Sequence, residues 1–251
     1  MVHIVGAGCG APDLITLRGK RYLEEADVVI YAGSLVNEAL LSYVKEGCEL
    51  HNSAKMTLEE ILSVISAAEN AGKTTVRLHS GDTSLYGAIA EQIREFDRLG
   101  ISYDITPGVS SFAGAAAALK TEYTLPSVSQ TVIISRAAGK TPVPEKESLR
   151  ALAAHQTTMV LFLSASLAGE VQAQLLEGGY PPETPAAILY KISWEDEKIF
   201  PCTVGTIEKT ARENGIRKTA LIAVGDFLHS EFTRSHLYDG RFSTEYREAK
   251  P

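Results

Sequence analysis

The chain has 251 residues, 45% of them hydrophobic and 22% charged, with a formal net charge of −7. That describes a globular protein with ample length for a core. The acidic balance argues against a nucleic-acid surface, while a local cluster of Arg and Lys could still hold an anionic substrate. Cys9, Cys48 and Cys202 are few and widely spaced. They fit a reducing cytoplasm and show neither a disulfide framework nor a zinc motif, so no metal site is expected. No apolar run reaches the length of a membrane span, and the amino terminus lacks the regions of a signal peptide.

In chain order, Val2–Val5 reads as a short strand entering Gly6-Ala-Gly-Cys-Gly-Ala-Pro-Asp13. Thr16 then caps a helix with Leu17, Tyr22 and Leu23 as its apolar positions. The loop formally matches the dinucleotide fingerprint G-x-G-x-x-A. Pro12 interrupts the place where a Rossmann helix would start. The second strand, Asp27–Tyr31, ends in Tyr31-Ala-Gly-Ser, with no acid for a ribose diol. A glycine loop near a ligand is expected here, and an NAD site is not favoured. Residues 57–72 carry the clearest helical signal. Thr57 and Glu60 form a capping box, Leu58, Ile61, Leu62 and Ile65 follow at helical spacing, and Gly72 ends the run.

Residues 76–91 organise the first half. A buried-strand pattern over 76–79 runs into a tight Ser80-Gly81-Asp82 turn, with a helix after Gly87. A glycine at a strand's carboxyl end lets backbone approach a ligand, and ligands bind at that edge of open α/β sheets. The plainer reading is a βα turn in which Asp82 caps the following helix. A strand near 102–105 leads into Thr106-Pro-Gly-Val-Ser-Ser111 and an alanine-rich helix, repeating the strand–glycine turn–helix order. Three such loops predict one shared crevice at the carboxyl edge of a mostly parallel sheet.

Beyond residue 120 the composition changes. The expected division is a first α/β domain over 1–120 and a second, with a mixed sheet, over 121–251. The second half predicts strands near 131–135, 157–163, 185–191, 197–202 and 219–225, with helices near 167–177 and 204–213. The strands at 185–191 and 197–202 pair as a hairpin across 193–197. His79 reads as a packed strand residue rather than a general base, and no His stands with Ser and Asp as a triad.

The loops Gly6–Asp13, Ser80-Gly-Asp82 and Pro107-Gly-Val-Ser-Ser111, in that order, resemble the three signatures of the tetrapyrrole (corrin/porphyrin) methylases. The resemblance runs over about residues 2–226. Within the family, Glu122-Tyr-Thr-Leu-Pro126, Ile134–Glu145 and the tail around Ser235-His-Leu-Tyr-Asp239 resemble the branch that acts in cobalamin biosynthesis. Cys9 and Ala11 stand where the family more often has Pro and Asp, and Thr83 replaces a Pro. The resemblance implies an S-adenosylmethionine-dependent methyltransferase acting on a tetrapyrrole, a homodimer, and two α/β domains with a cleft between them. Carried over by position, it implies cofactor contacts at Cys9, Ser80, Gly81, Asp82, Leu85, Ser110 and Ser111. From the second domain it adds Leu163, Ile192 and Ala220. Substrate carboxylates need cations, and Arg136, Lys140 and Arg18 are the candidates. Two other readings stand beside this one, an NAD-dependent oxidoreductase and a catalytically silent binding module.

Overall fold

The computed structural model describes residues 1–229 and 231–249. The chain forms two compact units, one of 1–114 with Lys191–Glu197, the other of 115–190 with 198–251. The division falls inside a helix, a few residues before the composition change near 120. Segment 191–197 rejoins the first unit.

The first unit is a five-stranded parallel sheet. Its strands are β1 (Val2–Gly6), β2 (Val28–Tyr31), β3 (Glu49–Asn52), β4 (Thr75–His79) and β5 (Tyr103–Thr106). They lie in the order β3-β2-β4-β1-β5. Helices cover both faces. On one face α1 (Leu17–Glu25) buries Leu23 against Val5, Val29, Val76 and Leu78. On the other, α2 (Leu58–Asn70) and α3 (Ala90–Leu99) bury Ile61, Ile65 and Phe96 against Val2, Ile4, Val28 and Ile30. Each fully buried aliphatic of this kind contributes about 1.5–3 kcal/mol.

Local chemistry sets the helix ends. Thr16 accepts from the Gly19 N–H at the start of α1. Thr57 and Glu60 close a reciprocal capping box on α2, with Thr57 N donating to Glu60 Oε2 at 2.7 Å. Leu17 departs from expectation. It stands 88% exposed in the first turn of α1, and Leu23 alone of the three apolar positions is fully buried.

The second unit is a mixed sheet of β6 (Val132–Arg136), β7 (Thr158–Phe162), β8 (Pro185–Tyr190), β9 (Lys198–Thr203) and β10 (Ala220–Val224), in the order β6-β7-β10-β8-β9. Only β6 and β7 pair in parallel, and β8 and β9 form the expected hairpin. Helices α5 (Leu149–Ala153), α6 (Ala168–Glu177) and α7 (Ile207–Glu213) pack Leu149, Val171, Leu175 and Ile207 onto Met159, Leu161, Ile188 and Val224. The helix that spans the division is α4 (Ser111–Leu119).

Candidate functional site

Strands β4, β1 and β5 are neighbours, so their carboxyl ends bring the three glycine loops side by side. The loops bond to one another through the backbone. Gly8 and Gly81 exchange N–H···O bonds of 3.2 and 2.9 Å, and Ala7 N donates to His79 O at 2.7 Å. The third loop is joined by a side chain, because Gly108 N donates to Asp82 Oδ2 at 2.8 Å. The approach leaves no room for side chains: a Cβ on Gly6 would sit 2.6 Å from Gly108 N and 2.7 Å from Gly81 O.

Asp82 is therefore a structural link as well as a charge. Its Oδ1 accepts from the Ser84 N–H at 2.9 Å and from the Ser84 hydroxyl. Burial raises the pKa of this carboxyl. The bonds from Ser84 and Gly108 outweigh that effect and hold it below the ordinary aspartate value. Asp82 does not cap α3, which begins at Ala90 after a turn holding Tyr86 and Ala88 at positive φ. Leu85 lies in that turn, its N–H directed at Asp82 O.

Gly81 has φ +62. A Cβ built there would meet only Ser110 Cα and Ser111 N, both at 3.8 Å. The space before Gly81 is thus open and bordered by the third loop, a cradle that a side chain would fill. Ser110 is buried and Ser111 half-buried at the start of α4. The turn gives Gly81 a left-handed backbone, so replacing it by a branched residue would strain the fold and block the cradle at once.

Ile192 belongs to the first unit, a correction to its expected place in the second domain. Ile192 and Cys9 converge on α4: a Cβ on Gly114 would lie 2.8 Å from Cys9 Sγ and 3.0 Å from Ile192 Cγ2. Around them the first loop is fixed by residues that carry no sequence motif of their own. Asn37 Nδ2 donates to Gly10 O at 3.0 Å. Ser193 Oγ accepts from Ala11 N at 3.0 Å and donates to Cys9 Sγ at 3.3 Å. The Trp194 indole lies against Gly10, where a Cβ would come within 2.5 Å of Nε1. Arg18 is exposed in the first turn of α1.

In the second unit, the candidates share one end of the sheet. Arg136 ends β6 beside Phe162 of β7, and Leu163 follows. The register of β7 and β10 is antiparallel, with Ile222 opposite Leu161, so Leu163, just past the end of β7, and Ala220, the first residue of β10, lie at that same end of the sheet. Leu163 is 64% exposed at φ +51, an unusual conformation for a branched residue in an exposed setting. The Arg136 guanidinium donates to the carbonyls of Ala137, Thr141 and Pro142, at 3.3, 3.1 and 2.9 Å. These partners are neutral, so the loop is braced while the positive charge stays uncompensated by them. Lys140 is exposed in the same loop.

His79 is 4% exposed, and burial, with the charge of Arg77, pushes its pKa down to about 3. It stays neutral at working pH. Among the described residues, no group of three or more His, Cys, Asp or Glu side chains gathers as a metal site. No described helix is long and apolar enough to cross a membrane.

A parallel sheet whose three carboxyl-end glycine loops interlock, followed by a mixed sheet, defines a class. The chain belongs to the tetrapyrrole (corrin/porphyrin) methylases, whose family model matches residues 1–208. It is 56% identical over 249 residues to the cobalt-precorrin-4 C(11)-methyltransferase of Methanocaldococcus jannaschii, covering 99% of this chain and 96% of that one. It is 46% identical over 239 residues to the precorrin-4 C(11)-methyltransferase of Mycobacterium tuberculosis strain H37Rv, covering 94% and 95%. The X-ray structure of a cobalt precorrin-4 methyltransferase superposes with a TM-score of 0.89 at 45% identity, covering 91% of this chain and 96% of that one.

Proposed function

We propose that this protein transfers a methyl group from S-adenosylmethionine to C-11 of precorrin-4 or cobalt-precorrin-4, a step of cobalamin biosynthesis. Full-length identity of 56% to a relative named for that reaction is the observation that carries the reading. The three-loop cradle accommodates the donor. Cys9, the Ser80–Asp82 turn, Leu85, Ser110, Ser111 and Ile192 would hold it. Bound S-adenosylmethionine supplies an electrophilic methyl group on a sulfonium, so transfer depends on positioning more than on acid–base work.

The chain's own residues fit that division of labour. The interlocked glycine loops fix backbone donors and acceptors before any ligand arrives. Asp82 presents a carboxylate held in its charged form, suited to a cationic ligand. His79 is buried, neutral and packed, and serves no proton transfer. Arg136, with Lys140 and Arg18, provides cations for substrate carboxylates. The active species is a homodimer working in the cytoplasm.

The test is mass spectrometry of the product formed from purified precorrin-4 and cobalt-precorrin-4 with S-adenosylmethionine. A mass gain of one methyl, located at C-11, is expected. Calorimetry should show S-adenosylhomocysteine binding at about one per chain. Tight cofactor binding with no turnover on either precorrin would favour a silent binding module instead.

A further inference from the structure

Segment Lys191–Glu197 joins β8 to β9, two strands of the second unit, yet it packs in the first. A hairpin connection of this length needs no such excursion, and its backbone is held in costly conformations. Lys191 and Ser193 both have positive φ, +48 and +64. Such residues persist only where the surroundings over-determine them. Here several interactions do so. Ser193 N donates to Glu197 Oε2 at 2.6 Å, and Lys191 Nζ pairs with Asp196 Oδ2 at 2.6 Å. The result aims one hydroxyl at the first glycine loop. Ser193 Oγ accepts from the Ala11 N–H and donates its proton toward Cys9 Sγ, so the single hydroxyl fixes two loop positions.

We propose that Ser193 is a positioning residue for the cofactor, acting through the first glycine loop, and that the 191–197 connector is a clamp on that loop. This rests on the cofactor reading of the three loops given above. Without the hydroxyl, Ala11 N–H loses its acceptor and Cys9 loses its donor. The loop then samples more conformations, and cofactor binding must bear the cost of ordering it. The chemistry of transfer is untouched, because Ser193 acts only through Ala11 and Cys9.

Ser193→Gly isolates the effect, since glycine keeps the left-handed backbone and removes only the hydroxymethyl group. The full-length variant should bind S-adenosylhomocysteine about three- to twelvefold more weakly than the parent by calorimetry, within the range expected for one net hydrogen bond. The apparent KM for S-adenosylmethionine should rise by a similar factor. The kcat and the KM for the precorrin, measured at saturating cofactor, should stay within about twofold. A merely structural serine would lower the unfolding midpoint and leave this split unmoved. Ser193→Ala, which also lacks the hydroxyl, serves as the second variant should the glycine form not fold. Parent protein that binds, with cofactor affinity within twofold in either folded variant, overturns the clamp alone. Parent protein that does not bind S-adenosylhomocysteine overturns the cofactor reading and the clamp together.

Discussion

Arg77 and His79 stand two residues apart on β4, so strand alternation turns them to the same face. Both are buried, at 5% and 4% exposure. Arg77 is met by neutral oxygens, Gln92 Oε1 at 3.0 Å and Ile30 O at 3.1 Å. Burial lowers its pKa to about 10, which leaves it charged at neutral pH. That buried charge helps keep His79 neutral, and His79 Nε2 has no hydrogen-bond partner. A consequence for stability follows by linkage. The folded pKa of about 3 lies below the ordinary value of 6.5, so between those values the unfolded chain binds a proton that the folded chain does not. Stability then rises with pH across the window and is lost as pH falls, by at most roughly 1.4 kcal/mol per unit for this one group. His79→Gln should flatten the slope of urea-unfolding free energy between pH 6 and 5, where few carboxylates titrate. Equal slopes in parent and variant would mean that His79 is protonated in the folded protein.

At the scale of elements, the glycine loops work as one body because β1 lies between β4 and β5. The first loop is closely confined at Gly10. Gly10 has φ +151, and the Trp194 indole and the Ile192 carbonyl occupy the place of a Cβ. Gly10→Ala should destabilise the protein by about 1–3 kcal/mol, the usual cost of overpacking. It should also weaken S-adenosylhomocysteine binding, because relieving the clash moves the loop or the connector. Chemical denaturation with parallel calorimetry checks both; unchanged stability would show that Trp194 yields freely. The loops and their strands were legible because each carries a local signature, an apolar run followed by glycine. Two elements lacked one. The edge strand β3, Glu-Leu-His-Asn, buries no residue fully, so it has no apolar alternation to read. Helix α5 has five residues, barely more than a turn. The supports of the site were illegible for another reason. Asn37 meets Gly10 across 27 positions and Ser193 meets Ala11 across 182, and neither residue type announces such a partner.

At the scale of the whole molecule, the first unit is assembled from two separate stretches of chain, and the second is interrupted by the return of 191–197. Sequence composition detected a change near residue 120 but had no means of detecting a seven-residue segment that changes allegiance. Nothing in Lys-Ile-Ser-Trp-Glu-Asp-Glu reads as other than a hairpin connection until the left-handed residues and their partners are seen. The arrangement has an optical consequence. The chain contains one tryptophan, and it is the residue pressed against Gly10. Intrinsic emission excited in the indole band therefore comes from a single place, beside the loop expected to meet the cofactor. Adding S-adenosylhomocysteine to the unlabelled parent protein should change that emission and saturate at the midpoint found by calorimetry. A calorimetric titration that saturates while the emission stays constant would show that the indole's surroundings are indifferent to what the loop holds.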